Sequence, residues 1–177
     1  MTLWYAKTQY ALEDASAAVR RLLAVAFERE YGAGMPAIGK TSEGRPFFPS
    51  RPGIFVSLSH SGEHLLCALG EAPVGCDVQL RRELHPGTAE KLMDEREKRE
   101  FEFFELWCLR ESFVKMCGGG SLRRARFRLE QGTIVAPEPA AVCRIYRGIE
   151  GCACAACVLG IQPPTGIRRV DLFSPEA

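Results

Sequence analysis

Residues 54–79 read IFVSLSHSGEHLLCALGEAPVGCDVQ, three short apolar runs separated by two turn signals. The runs 54–59, 65–69 and 74–79 have the length and composition of strands. Ser61-Gly62-Glu63 and Glu71-Ala72-Pro73 turn the chain between them. Side chains alternate along a strand, so Val74, Cys76 and Val78 share one face of the third run, while Asp77 and Gln79 share the other.

Upstream, residues 2–7 read as an opening strand. Between Leu12 and Tyr31, Ala15, Val19, Leu22, Leu23, Ala26 and Phe27 fall at helical spacing, and Gly32 and Gly34 supply the stop. A Gly/Pro-rich, irregular stretch fills 33–53. Downstream, 80–87 lacks apolar periodicity and reads as a linker. A charged helical region over 88–100 reads as a solvated face, and an apolar helix over 101–117 stops at Gly118-Gly119-Gly120. Further strands are expected at 125–130, 142–146, 152–159 and 168–173. The pattern predicts an α+β protein of two halves, 1–80 and 81–177, joined in one compact body.

Composition narrows the function. Of 177 residues, 46% are hydrophobic and 25% charged, as in a globular protein with a substantial core. The net charge of +1 gives no global pull toward nucleic acid or an anionic membrane, so any phosphate site must be local. No run is long enough to span a bilayer, and the opening MTLWYAKTQYALEDA does not read as a signal peptide; a cytoplasmic location follows as the expectation. The eight cysteines are then expected to be reduced. Cys152, Cys154 and Cys157 cluster as a thiolate metal site would, but no histidine or second cysteine pair completes a tetrahedron. They read better as small buried hydrophobes.

Four constellations could carry chemistry. Asp77 and Gln79, side by side on a strand, can hold a hard cation, although an Asp near a strand end also serves as a turn or cap residue. In Trp107-Cys108-Leu109-Arg110-Glu111-Ser112-Phe113-Val114-Lys115, Trp107, Glu111 and Lys115 fall on one helix face at spacings of four. An exposed Glu–Lys pair would be ordinary, but the surrounding Phe104, Leu109, Phe113, Val114 and Met116 make the helix largely buried, and charges there need partners or a function. Ser57, Ser59, His60 and Ser61 cluster at a strand end, where hydroxyls and an imidazole can bind phosphate. Finally, Gly44-Arg45-Pro46 holds a guanidinium on a defined turn, preorganised for phosphate or simply exposed to solvent.

The order and spacing of these groups resemble the 4'-phosphopantetheinyl transferases, in their monomeric Sfp-type, surfactin-synthetase-activating branch. The segments that carry the resemblance are GRP at 44–46, SLSHSG at 57–62, VGCDVQ at 74–79 and LWCLRESFVK at 106–115. The resemblance implies a pseudo-dimer of two similar α+β halves, each a helix on a small antiparallel sheet, with the active site in the cleft between them. It implies transfer of the phosphopantetheine arm of coenzyme A to a serine hydroxyl of an apo acyl or peptidyl carrier protein, releasing 3',5'-ADP.

By the same resemblance, Asp77 and Glu111, with Gln79 beside them, would be ligands of Mg2+ or of Mn2+ in its place. Glu111 would also be the base, and Lys115 would neutralise the pyrophosphate. Arg45, Pro46, Ser59 and His60 would hold coenzyme A. Gln79 stands where many relatives have Glu, and Arg110 where many have Lys. The basic residues that grip the 3'-phosphate in relatives have no clear counterpart here, and Arg20 and Arg21 are the candidates to stand in for them. The carrier, an acidic helical domain, would dock near Arg81, Arg82, Leu92, Met93 and Phe101, residues that equally fit a core with a solvated face. No nucleic acid or membrane partner is implied, and the expected state is a monomer. Two rival readings are a non-catalytic binder of coenzyme A or of a carrier protein, and a metal-dependent phosphodiesterase. The second fits less well, because Glu111 and Lys115 are four apart in a helical run and the charge balance lacks a basic footprint.

Overall fold

The structure, a computed structural model, describes residues 1–8 and 14–172. In chain order its elements are β1 (Thr2–Lys7), α1 (Ala15–Tyr31), β2 (Gly39–Lys40), β3 (Pro46–Phe47), β4 (Phe55–Ser61), β5 (His64–Gly70) and β6 (Val74–Leu80). There follow α2 (Thr88–Leu92), α3 (Glu95–Glu100), α4 (Phe103–Cys117), β7 (Arg128–Glu130), β8 (Thr133–Val135), β9 (Ala141–Ile145), β10 (Cys152–Leu159) and β11 (Arg168–Arg169). The expected α+β class is thus observed, with antiparallel pairing throughout except between β1 and β11.

The sheets stack. One runs β11-β1-β5-β4-β3-β2, a second β6-β10-β9, and a small hairpin joins β7 to β8. Val19, Leu22, Leu23, Ala26 and Phe27 of α1 pack on one face of the first sheet against Trp4, Val56, Leu65 and Cys67. Leu3, Tyr5, Leu66 and Ala68 on its other face meet Val74, Cys76, Val78, Cys154 and Ala156 of the second sheet. The far face of that second sheet, with Ala153, Ala155 and Cys157, carries Leu106, Cys108, Leu109 and Met116 of α4. Helix, sheet, sheet, helix is therefore the layer order.

A serine seam joins the sheets. β6 is an edge strand, and the outward N–H groups of Cys76, Val78 and Leu80 lack a backbone partner there. They donate instead to the hydroxyls of Ser57, Ser59 and Ser61 on β4, at 3.0, 3.2 and 3.0 Å. Alternation along β4 sends these three serines to β6 and sends Val56, Leu58 and His60 to the opposite side, where α1 packs.

Several expectations need correction. The charged region 88–100 is two short helices, broken at Met93 and restarted by Asp94. The Asp94 side chain caps the N–H groups of Arg96 and Glu97, and Glu97 reaches back to the Asp94 N–H. That capping box was legible as Asp-x-x-Glu. Nor is the face wholly solvated. Glu97 is 1% exposed and accepts from Arg110 Nη2 on both oxygens (2.8 and 2.7 Å) and from Arg126 (2.7 Å). Arg110, 3% exposed, also donates to the carbonyls of Ala125 and Leu92, tying α4 to the segments on either side.

Other differences are local. The expected strand at 125–130 shrinks to β7, which pairs with the unforeseen β8 across Gln131-Gly132, both at positive φ. The irregular stretch 33–53 contains β2 and β3. The strand at 168–173 is regular only over β11; Phe173, like Leu12 at the start of the expected first helix, lies outside the described residues. The cysteines are not all free: Cys143 and Cys157, paired across β9 and β10, form a disulfide. Cys152 and Cys154 are buried free thiols, as expected of small apolar residues.

At Gly75 the strand and the helix come into direct contact. A Cβ added there would lie 1.8 Å from the Ser112 carbonyl oxygen and 2.7 Å from the Met116 nitrogen, so α4 rests directly on the β6 backbone. Gly75→Ala must lift the helix or bend the strand, at about 1–3 kcal/mol or more. Urea denaturation should therefore place its midpoint well below wild type; an unchanged midpoint would refute this packing.

Candidate active site

Because Gly75, Asp77 and Gln79 share the face of β6 that α4 covers, the helix brings Glu111 and Lys115 over Asp77. Lys115 Nζ donates to Asp77 Oδ1 at 2.7 Å and to the Cys76 carbonyl at 3.2 Å. Ser59 Oγ, from the other sheet, donates to the same Oδ1 at 2.7 Å. Asp77 is 5% exposed and Ser59 7%. A buried carboxylate needs such partners, and here they come from β4 and α4 at once. Gly118, in the left-handed conformation, ends α4 one turn beyond Lys115.

Glu111 lies one turn before Lys115 on the same stripe. Burial pushes its carboxyl above the ordinary 4.5; Lys115 opposes that shift, and the Asp77 charge adds to it. For Lys115, burial works against the ammonium, but the charge of Asp77 outweighs it with help from Cys76 and Glu111, and the pKa ends above 10.5.

Two cavities flank the stripe. At the Lys115 end, about 280 Å³ is lined by Arg45, Pro46, Ser57, Val114, Lys115, Gly118 and Gly119 among others. Arg45 Nη1 reaches the Met116 carbonyl at a long 3.4 Å, its guanidinium lies over the Phe55 ring, and Nη2 is buried with no hydrogen-bond partner among the described residues. An unpaired buried donor is costly unless something fills it, which marks this cavity for an anion. At the other end, about 360 Å³ is lined by Gln79, Arg82, His85, Leu92, Phe103 and Trp107 among others. Phe103 and Trp107 stack there, one turn apart.

Thus Arg45, Pro46, Ser59, Asp77, Glu111 and Lys115 converge around the α4–β6 contact, and Gln79 sits toward the aromatic cavity. His60 does not join them: it is exposed at the end of β4, on the side opposite Ser59. Arg20 and Arg21 lie exposed on α1. Of the expected docking residues, Arg82 and Leu92 line the aromatic cavity, whereas Met93 and Phe101 belong to the core under α4. Arg81 is drawn into ion pairs with Glu102 and Glu105 at 3.5 and 3.9 Å. Sequence reasoning missed Ser57 and Ser61 as partners of β6, and Glu97 as the anchor of Arg110.

No three His, Cys, Asp or Glu side chains converge as a metal cage among the described residues. Two carboxylates, Asp77 and Glu111, are close enough to influence each other, and oxygen donors of this kind suit an ion that completes its shell with water and substrate phosphates. That is the usual habit of Mg2+. No helix among the described residues is long and apolar enough to cross a membrane.

The chain is similar to curated 4'-phosphopantetheinyl transferases, in agreement with the resemblance carried by its motifs. It is 29% identical over 114 residues to the enzyme of that name from Bacillus subtilis, covering 56% of this chain and 50% of that protein. It is 33% identical over 91 residues to 4'-phosphopantetheinyl transferase gsp of Aneurinibacillus migulanus, 46% of this chain and 38% of that one. With 4'-phosphopantetheinyl transferase psf-1 of Bacillus pumilus it shares 32% over 87 residues, 44% and 37%. The chain thus spans half or less of the length of these relatives. No family model matches it.

The raised pKa of Glu111 has a sign that can be checked. A carboxyl harder to ionise in the folded state favours folding below its unfolded value near 4.5, and that contribution is lost as pH rises through the folded value. In metal-free buffer, Glu111→Gln should therefore melt higher than wild type at pH 7, with the difference vanishing below about pH 4. A variant less stable than wild type at pH 7 would contradict the assignment.

Proposed function

We propose that the chain is a 4'-phosphopantetheinyl transferase of the holo-acyl-carrier-protein-synthase kind, moving the phosphopantetheine arm of coenzyme A to a carrier-protein serine. One observation carries the reading: Asp77 and Lys115 paired under α4, with Glu111 one turn away, between an anion-seeking cavity and an aromatic one. The motif resemblance and the curated relatives point the same way.

In this reading the helix–sheet–sheet–helix stack is a pseudo-dimer of halves 1–80 and 81–177, with β6 lent to the second sheet and the active site where the halves meet. Coenzyme A lies with its phosphates toward Arg45 and Lys115, and Pro46 fixes the turn that presents Arg45. His60, with Arg20 and Arg21, supports the nucleotide from the α1 side of the first sheet. The acidic carrier approaches the aromatic cavity, where Arg82 and His85 stand at the rim.

The serine oxygen attacks the β-phosphorus of coenzyme A. A phosphorus–oxygen bond forms to serine, and the bond to the bridging oxygen of 3',5'-ADP breaks. Glu111, with its raised pKa, takes the serine proton directly or through a water. Lys115 holds positive charge against the departing phosphate. Asp77 and Glu111, with Gln79 beside them, would hold Mg2+ or Mn2+, which supplies charge neutralisation on the pyrophosphate. The protein works as a cytoplasmic monomer.

Intact-mass measurement of apo carrier proteins after incubation with coenzyme A and Mg2+ tests the proposal. One phosphopantetheine should be gained, EDTA should abolish the gain, and Asp77→Asn or Glu111→Gln should slow it at least 100-fold. Coenzyme A binding with no gain on any carrier would favour the non-catalytic reading instead.

A further inference from the structure

We propose that Ser59 is a positioning residue for Asp77, a clamp that presets the carboxylate for a divalent cation, rather than a contact to the nucleotide phosphates; the inference rests on the transferase reading above.

Three hydroxyls of β4 do the same structural work. Ser57, Ser59 and Ser61 each accept one outward N–H of β6, from Cys76, Val78 and Leu80. Ser59 also binds the carboxylate: its proton goes to Asp77 Oδ1 at 2.7 Å. A serine hydroxyl has one proton to donate. Phosphate oxygens accept hydrogen bonds, so a hydroxyl whose proton is already committed to a carboxylate has nothing to offer them. Ser59 is also 7% exposed, closed in between the two sheets.

The clamp fixes the carboxylate from two sides. Ser59 from the first sheet and Lys115 from α4 meet on the same oxygen, which holds Asp77 against rotation. Asp77 itself sits on β6, the strand that the serine seam ties to β4. The orientation of a cation ligand is thereby linked to the contact between the two sheets. Residues that orient metal ligands in this way typically change metal affinity 10–100-fold when removed.

The neighbouring serines supply the control. Ser57→Ala and Ser61→Ala each leave one β6 N–H without its acceptor, as Ser59→Ala does, but neither touches Asp77. Mn2+ binding is measured by electron paramagnetic resonance for the full chain and each variant, without substrate and then with coenzyme A. Coenzyme A binding is measured separately in EDTA. The expected result is Mn2+ affinity at least about tenfold weaker in Ser59→Ala than in wild type, Ser57→Ala or Ser61→Ala. Coenzyme A affinity in EDTA should be unchanged, and Ser59→Thr, which keeps the hydroxyl, should recover Mn2+ binding.

Equal Mn2+ affinity in all three alanine variants would overturn the clamp, as would a selective loss of coenzyme A affinity in EDTA for Ser59→Ala. Transfer to carrier proteins is followed in parallel. Wild-type protein that binds Mn2+ in a Ser59-dependent way yet transfers nothing overturns the transferase reading and leaves the clamp standing. Wild-type protein that binds no Mn2+ overturns the clamp whatever its transfer activity.

Discussion

A single carboxylate oxygen receives one hydrogen bond from each side of the molecule, and the rest of the site is arranged around it. Ser59 on the first sheet and Lys115 on the C-terminal helix both end on Asp77 Oδ1. Burying Asp77 without them would leave an uncompensated charge in the interior, at several kcal/mol. With them, the interior holds an acid, a base and a cation at one place. The constraint that permits this is steric: only a glycine at position 75 lets α4 lie on β6 closely enough for Lys115 to reach.

The second helix support is electrostatic as well. Arg110 precedes Glu111 and points the other way, into Glu97 and the carbonyls of Leu92 and Ala125. α4 is therefore pinned on both sides, by Arg110 toward α3 and by Lys115 toward β6. With its rotation fixed at two successive turns, the helix keeps Trp107, Glu111 and Lys115 on one stripe, with a cavity at each end. Glu111 is left in a setting that disfavours its charged form, mainly through burial.

Much of this was legible in the chain. Strand alternation put Asp77 and Gln79 on one face, four-residue spacing put Glu111 under Lys115, and glycines marked the end of α1 and α4; all depend on neighbours a few residues away. What was hidden depends on partners far apart in sequence. Ser59 meets Asp77 across 18 residues, Lys115 meets Asp77 across 38, and Arg110 meets Glu97 across 13. A run such as Glu-Arg-Glu-Lys-Arg-Glu looks uniformly solvated, and nothing local singles out Glu97 except its place in a capping box. The same holds for the Cys143–Cys157 disulfide, set by the β9–β10 register rather than by spacing. His60, adjacent to Ser59 in sequence, leaves it in space because neighbours on a strand face opposite ways.

A crystal structure of the protein with coenzyme A and Mn2+, phased or mapped on the anomalous signal of the metal, tests the central claim most directly. One metal peak is expected, bounded by Asp77 and Glu111, with the pyrophosphate between that peak and the Arg45–Lys115 cavity. Coenzyme A bound elsewhere, or a metal peak away from both carboxylates, would contradict it.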